Sequence, residues 1–274
     1  MDIQFIKLSP TQNMTILVES PVPRELHKEV AQELMKYDGV FAEQVGFIEA
    51  PEHNPDAWGR LQMMGGEFCG NATMSLAAVL AMGREIPDGR PVDVPLEVSG
   101  LDGIINVDLT LQGHEAHCSV EMPRPEKIEQ LTLHLKGEDY QINVVTLEGI
   151  THIIVDVDLV SGDKAIFAER ALREWKSNFS AEALGLILYD RVRNFIKPLI
   201  YVESTDSFVW ERGCGSGSAA LGAYLAHKAQ GTVGVDIAQP GGVITVMSGY
   251  KPDRTMKTVI SGNVKLVARG VAYL

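Results

Sequence analysis

Two segments decide how this 274-residue chain is read: CGNATMSLAAVLA at residues 69–81 and CGSGSAALGAYLA at residues 214–226. Each opens on Cys-Gly, continues through small and polar residues, and becomes an Ala/Leu-rich run with helical spacing. A cysteine that merely fills a core belongs in an apolar run, whereas Cys69 and Cys214 stand on turns at helix entrances. Six of the 13 aligned positions are identical: the Cys, the Gly, two Leu and two Ala.

The order of elements around the two segments repeats as well. A helix over 24–39 carries Leu26, Val30 and Leu34 on one face and stops at Gly39. Its counterpart over 163–175 carries Phe167, Ala171 and Trp175. Short strands follow each, VGFIEA and RLQMM in the first half, LGLILYD and PLIYVE in the second. The first cysteine turn opens a helix with Ala72, Leu76, Val79 and Leu80 at core spacing and an end at Gly83. Alternating segments VPLEVSG, GIINVDL and AHCSVEM come next, and INVVTLEG and THIIVDV begin the second half. The offsets between halves are nearly constant: 139 positions from Arg24 to Asp163 and from Gly46 to Gly185, 145 between the cysteines. This is an internal duplication. It predicts an α+β protein of two like domains, 1–121 and 122–264, with a C-terminal strand at about 265–274 that can return to the first. The crossover falls near Pro123–Pro125, and a pseudo-twofold relation would bring the two cysteine turns to one cleft.

Bulk properties narrow the partners. A net charge of −12 without a basic stripe argues against nucleic acid; DRVRNFIK, the most basic patch, reads as a solvated strand end. No stretch approaches the ~18 apolar residues of a membrane span, and the first residues lack a basic start and an apolar run. The expected location is cytoplasmic. Three cysteines, Cys69, Cys118 and Cys214, are an odd number for a disulfide framework and are expected to stay reduced. The sequons at Asn13, Asn71 and Asn178 are then chance matches.

A helix start presents unpaired N–H groups and a positive partial charge. A thiol there is expected to have a lowered pKa, and the same N–H groups can hold a carboxylate. Gly70 and Gly215 admit a ligand close to the backbone, and Asn71, Ser216 and Ser218 add short polar groups. Two such sites suit removal of an α-proton from one face of an amino acid and delivery to the other. That reaction needs two distinct acid/base groups and dipoles for the developing carbanion charge; no cofactor is called for, and no metal. Cys118, with His114 and His117 nearby, reads as inert filler. The rival motif is GSGSAA at 215–220, a G-x-G-x-x-A dinucleotide fingerprint with Asp236 about 20 residues on, which would make an NAD-type oxidoreductase. A binding module that only grips a carboxylate is a further alternative.

CGN and CGSG together resemble the diaminopimelate epimerase and proline racemase group, the two-cysteine racemases that work without pyridoxal phosphate. NMTILV, EQVGFIE, EFCGNATMS, PLIY, CGSG and QPGG, spread over nearly the whole chain, resemble more closely the histidine racemases of staphylopine-type metallophore synthesis. The resemblance implies a fold of two pseudo-symmetric domains, each a sheet wrapped around a central helix, and a cytoplasmic racemase of a free amino acid, L-histidine to D-histidine. Cys69 and Cys214 would be the acid/base pair. Gly70, Asn71, Gly215, Ser216 and Gly217 would bind the α-carboxylate, and Asn13, Gln44 and Glu67 the amino group or side chain. Glu211 and Arg212 would line the pocket. The sequence departs from the diaminopimelate enzymes at QMMGGEF before Cys69 and in the two residues that separate Arg212 from Cys214. Diaminopimelate epimerase, another racemase of the fold and a phenazine-biosynthesis-type isomerase are the remaining alternatives; the last lacks the paired cysteines. A homodimer is the assembly the resemblance implies, although no exposed apolar element of the sequence demands one.

Overall fold

The computed structural model describes residues 1–203 and 206–274. Their contacts divide the chain into two compact units, 1–121 with 261–274, and 122–260.

In the first unit the strands are β1 (Asp2–Pro10), β2 (Thr15–Val18), β3 (Gln44–Glu49), β4 (Arg60–Met63), β5 (Pro91–Val98), β6 (Ile105–Gln112) and β7 (Glu115–Met122). They pair in that order. The C-terminal part of β16 (Met256–Tyr273) then joins β7 to β1 and closes the ring. Two steps are parallel, β2 to β3 and β4 to β5. Parallel neighbours need a long crossover. Helix α1 (His27–Met35) makes the first and α2 (Gly70–Gly83) the second.

Alternation along the strands decides what each helix covers. Ile3, Phe5, Ile16, Val18, Val45 and Phe47 form one core with Val30, Ala31 and Leu34 of α1. Thr15 and Leu17 therefore face the other side, toward α2. The β2–β3 register sets Gln44 beside Thr15 and Gly46 beside Leu17. Helix α2 packs against β1 to β6 and is buried from Gly70 through Ala78. The expected single core face is thus a whole helix surface. Val79 and Leu80, predicted as core, are only half-buried, while Thr73, Met74, Ser75, Ala77 and Ala78 are buried. A sheet that curls round the helix buries every side of it, and small residues let the strands approach.

The second unit repeats these steps with β8 (Lys127–Leu135), β9 (Glu138–Leu147), β10 (Ile150–Asp156), β11 (Ala183–Asp190), β12 (Phe195–Val202), β13 (Ser207–Trp210), β14 (Val233–Gln239) and β15 (Gly242–Tyr250). Here β10–β11 and β12–β14 are the parallel steps. They are crossed by α3 (Lys164–Trp175) and α4 (Gly215–Ala229). The Asp163 carboxylate caps α3 by accepting from Ala165 and Ile166 N–H. Phe167, Ala168, Ala171, Leu172 and Trp175 of α3 share a core with β9 to β12. Helix α4 packs against β9, β10, β14 and β15 and is buried through most of its length. Gly222 allows that contact, since a Cβ there would overlap Val246. Arg191, in the basic patch, is exposed and pairs with Asp156 and Asp158. Among the described residues, no helix is long and apolar enough to cross a membrane.

Candidate active site

Cys69 is the N-cap of α2, in extended backbone geometry, with its sulfur accepting from Ala72 N–H at 3.5 Å. Its carbonyl accepts from Thr73 N–H and from the Thr73 hydroxyl at 2.7 Å. Cys214 holds the same position on α4. Its sulfur accepts from Gly217 N–H at 3.3 Å, and its carbonyl from Ser218 N–H and from the Ser218 hydroxyl at 2.7 Å. Both cysteines are thus fixed by the same two local bonds: the sulfur accepts from the helix's third N–H, and the carbonyl accepts from a hydroxyl four residues on.

The turn that delivers Cys69 is held by the end of β5. Ser99 Oγ donates to Glu67 O at 2.8 Å. Gly100, at φ +75°, leaves space that a Cβ would take from Phe68 N. Glu67 sits on this turn, half-buried, with its carboxylate folded back over Gly65. Beneath the turn lies a polar cluster. Cys69 Sγ–H donates to Gln44 Oε1 at 2.8 Å; Gln44 Nε2 donates to Asn13 Oδ1 and Thr15 Oγ1; Asn71 Nδ2 donates to Asn13 Oδ1; and Asn13 Nδ2 donates to Glu43 Oε2. Asn13, Gln44 and Asn71, far apart in sequence, therefore meet around Cys69. Thr15 and Glu43 belong to the same cluster and escaped the sequence reading. The parallel β2–β3 register that joins Thr15 to Gln44 is invisible in one dimension.

On α4, Cys214 is 2% exposed. Its N–H donates to Gln239 Oε1 at 2.7 Å, and Gln239 Nε2 donates to Ser218 Oγ. Burial pushes the Cys214 thiol well above its ordinary pKa, and the charge of Glu211 adds to the rise. This corrects the expectation of a lowered value: loss of water outweighs the helix end, whose N–H bond lowers it by less. Gly217 is required by space, because a Cβ would stand 2.6 Å from Ile187 Cδ1 and 3.0 Å from Cys214 Sγ. Ser216 Oγ lies 3.6 Å from Cys214 Sγ and 3.0 Å from His152 Nε2. His152 is wholly buried, which pushes its pKa down to about 3 and keeps it neutral. Among the described atoms its Nδ1 has no hydrogen-bond partner. The tautomer with hydrogen on Nε2 leaves only a lone pair unsatisfied, and it donates to Ser216. The sequence reading passed over His152 inside THIIVDV. Only the fold singles it out: Gly185 is its partner across β10–β11, and a Cβ there would overlap the imidazole. Glu211 and Arg212 follow β13 directly; Arg212 donates to Pro240 O and accepts from Gly241 N–H, so it braces the turn after β14.

Cys118 is fully buried, its thiol pushed up to about 12 by burial. Among the described residues, no group of three or more His, Cys, Asp or Glu is placed to hold a metal. The dinucleotide fingerprint fails on its premise. The strand before GSGSAA, β13, runs antiparallel to β12, so it opens no parallel crossover, and Asp236 accepts from Thr245 Oγ1 on the surface.

The family model described as the histidine racemase CntK N-terminal domain matches residues 2–273. The chain belongs to the histidine racemase family. A histidine racemase of Staphylococcus aureus is 31% identical over 274 residues, 99% of this chain and 98% of that one. One from Fusobacterium nucleatum is 29% identical over 278 residues, covering 99% and 97%. In three dimensions the chain is similar to a probable proline racemase from Agrobacterium radiobacter crystallised with bound carbonate. The TM-score is 0.71 at 14% identity, with 98% of this chain and 92% of that one covered. That likeness concerns the α+β fold alone. Membership in the histidine racemase family makes the chain an amino-acid racemase and sets aside the oxidoreductase and binding-module readings.

Proposed function

We propose that this histidine racemase moves the α-proton with two thiols, Cys69 and Cys214, each serving one face of the substrate α-carbon. The observation that carries this reading is the matched capping of the two: an i+3 N–H on each sulfur and an i+4 hydroxyl on each carbonyl. The repeat of parallel steps crossed by helices in both units supports an internal duplication, with pseudo-symmetric halves that each supply one thiol.

In the forward step one thiolate takes the proton from Cα, forming an S–H bond, and the C–H electron pair stays on the substrate. The other thiol gives its proton to the opposite face and keeps the S–H electrons. The developing charge spreads into the carboxylate. There the N–H groups of Gly70, Asn71, Gly215 and Ser216 would receive it, with the helix dipoles behind them. Gly217 contributes room rather than a donor, since its N–H is committed to Cys214. No electrons change hands, so the step requires no redox partner. Glu211, which adds to the raised thiol pKa of Cys214 through its charge and a hydrogen bond, would in this mechanism accept the thiol proton. Glu67, on the turn before Cys69, would suit the imidazole of histidine, and Arg212 would line the pocket.

Incubation of L- or D-histidine with the enzyme in D₂O, followed by circular dichroism and by Cα deuteration, tests the assignment. Cys69→Ser and Cys214→Ser should each cut racemisation by at least about 10³-fold. Either variant racemising at the parent rate would refute the two-thiol mechanism.

A further inference from the structure

Glu43 sets the direction of a chain of hydrogen bonds that ends on the Cys69 sulfur. A carboxylate only accepts, so the Asn13 amide turns its NH2 toward Glu43, with Nδ2 to Oε2 at 2.7 Å. The Asn13 carbonyl therefore points the other way and accepts from Gln44 Nε2 at 2.5 Å and Asn71 Nδ2 at 3.0 Å. Thr15 imposes the same orientation from a second side. Its hydroxyl donates to the main-chain O of Asn13 at 3.1 Å, leaving its oxygen to accept from Gln44 Nε2 at 2.8 Å. Both hydrogens of the Gln44 amide are thereby used, and its carbonyl oxygen is what faces Cys69, 2.8 Å from the sulfur.

An amide oxygen in that place accepts from S–H and repels S⁻, because the negative end of the carbonyl dipole points at the sulfur. Ala72 N–H, a donor that favours the thiolate, stands farther off at 3.5 Å. We propose that Glu43, acting through Asn13 and Gln44, is a positioning residue that holds Cys69 as the protonated, proton-donating thiol of the resting enzyme. This rests on the reading of Cys69 as one of the two proton-exchanging groups. It sharpens that reading by giving the first turnover a direction: Cys69 delivers its proton to Cα, keeps the S–H electron pair, and is reprotonated before or during the next turnover. It also moves Asn13 and Gln44 from substrate contacts to the orientation of a thiol.

The test is the rate of iodoacetamide alkylation at Cys69, read by mass spectrometry of its peptide at neutral pH in a Cys214→Ser background. Glu43→Gln lets the Asn13 amide face either way, and Thr15→Val removes the second constraint on Gln44 while keeping side-chain shape. In at least one of these variants, loss of the fixed acceptor should speed Cys69 alkylation about tenfold. Cys118 should stay unmodified. A rate unchanged or lower in both variants overturns the inference, and so does acceleration accompanied by labelling of Cys118, which would mean general loosening. Failure of the two-thiol mechanism itself would show elsewhere, as undiminished racemisation by Cys69→Ser.

Discussion

Replacing Glu97 by Gln tests how the Cys69 turn is supported. Glu97 lies at the end of β5, two residues before Ser99, which grips Glu67, and three before Gly100, against which Phe68 packs. Its Oε2 accepts from Glu52 N–H at 2.8 Å, and its Oε1 from His53 N–H at 2.8 Å and Asn54 N–H at 2.5 Å. Arg60 adds an ion pair at 3.5 Å. Burial opposes the charge, yet the three backbone bonds outweigh it and hold the carboxyl down to about 2, from 4.5. A shift of that size converts to about 3 kcal/mol. The side chain is only 3% exposed but lies just under the exposed Glu52–His53 turn, so solvent screening reduces the figure to about 1–2 kcal/mol. The folded-state value is depressed, so this stability is fully present above pH ~4.5 and is lost as pH falls toward 2. In the Glu97→Gln variant one oxygen becomes an NH2 that faces a backbone N–H, donor against donor, and the second cost is of similar size. Urea unfolding across pH 7 to 2.5 should give a variant about 2–3 kcal/mol less stable at neutral pH, with the gap closing as the parent's Glu97 is protonated. Equal stability at pH 7, or a gap that stays constant down to pH 2.5, would refute the reasoning.

Other expectations follow from the same geometry. Gly217→Ala puts a methyl against Ile187 and Cys214 Sγ, so kcat should fall by about 10²-fold while thermal unfolding shifts by the ~1–3 kcal/mol of an overpacked contact; an unchanged kcat would show that the sulfur position is not critical. His152, neutral down to about pH 3, leaves the unfolded chain alone to take up a proton below about 6.5, so the parent loses stability as pH falls through that window. His152→Gln should flatten this slope in pH-dependent melts and lower racemisation; an identical slope would count against a buried neutral imidazole. Cys118→Ala should leave racemisation within about twofold and cost about 1 kcal/mol by calorimetry, and a large loss of activity would give that thiol a role it has no geometry for.

Much of the site was legible because helix N-caps are local. Cys-Gly followed by polar residues marks a helix start, and the recurrence of that pattern 145 positions on exposed both cysteines without any coordinates. Ser216 and Ser218 were legible for the same reason. The polar cluster under Cys69 was not. Asn13, Thr15, Glu43 and Gln44 are joined by a parallel strand register that no spacing in the chain encodes, and the resemblance that named Asn13 and Gln44 gave no hint that they orient a thiol. His152 looked like one more residue of an apolar strand; only its burial beside Gly185 and its bond to Ser216 set it apart.

By itself, then, the sequence determined the two helix-capping thiols, the repeated order of elements and the family, because these rest on local capping chemistry and on pattern. Tertiary structure decided what surrounds each sulfur. It buried Cys214 and raised its pKa against the pull of the helix end, and it aimed an amide oxygen at Cys69. Whether a thiol is held as acid or base depends on desolvation and on which end of a dipole faces it, and both are set by residues brought together only when the strands pair.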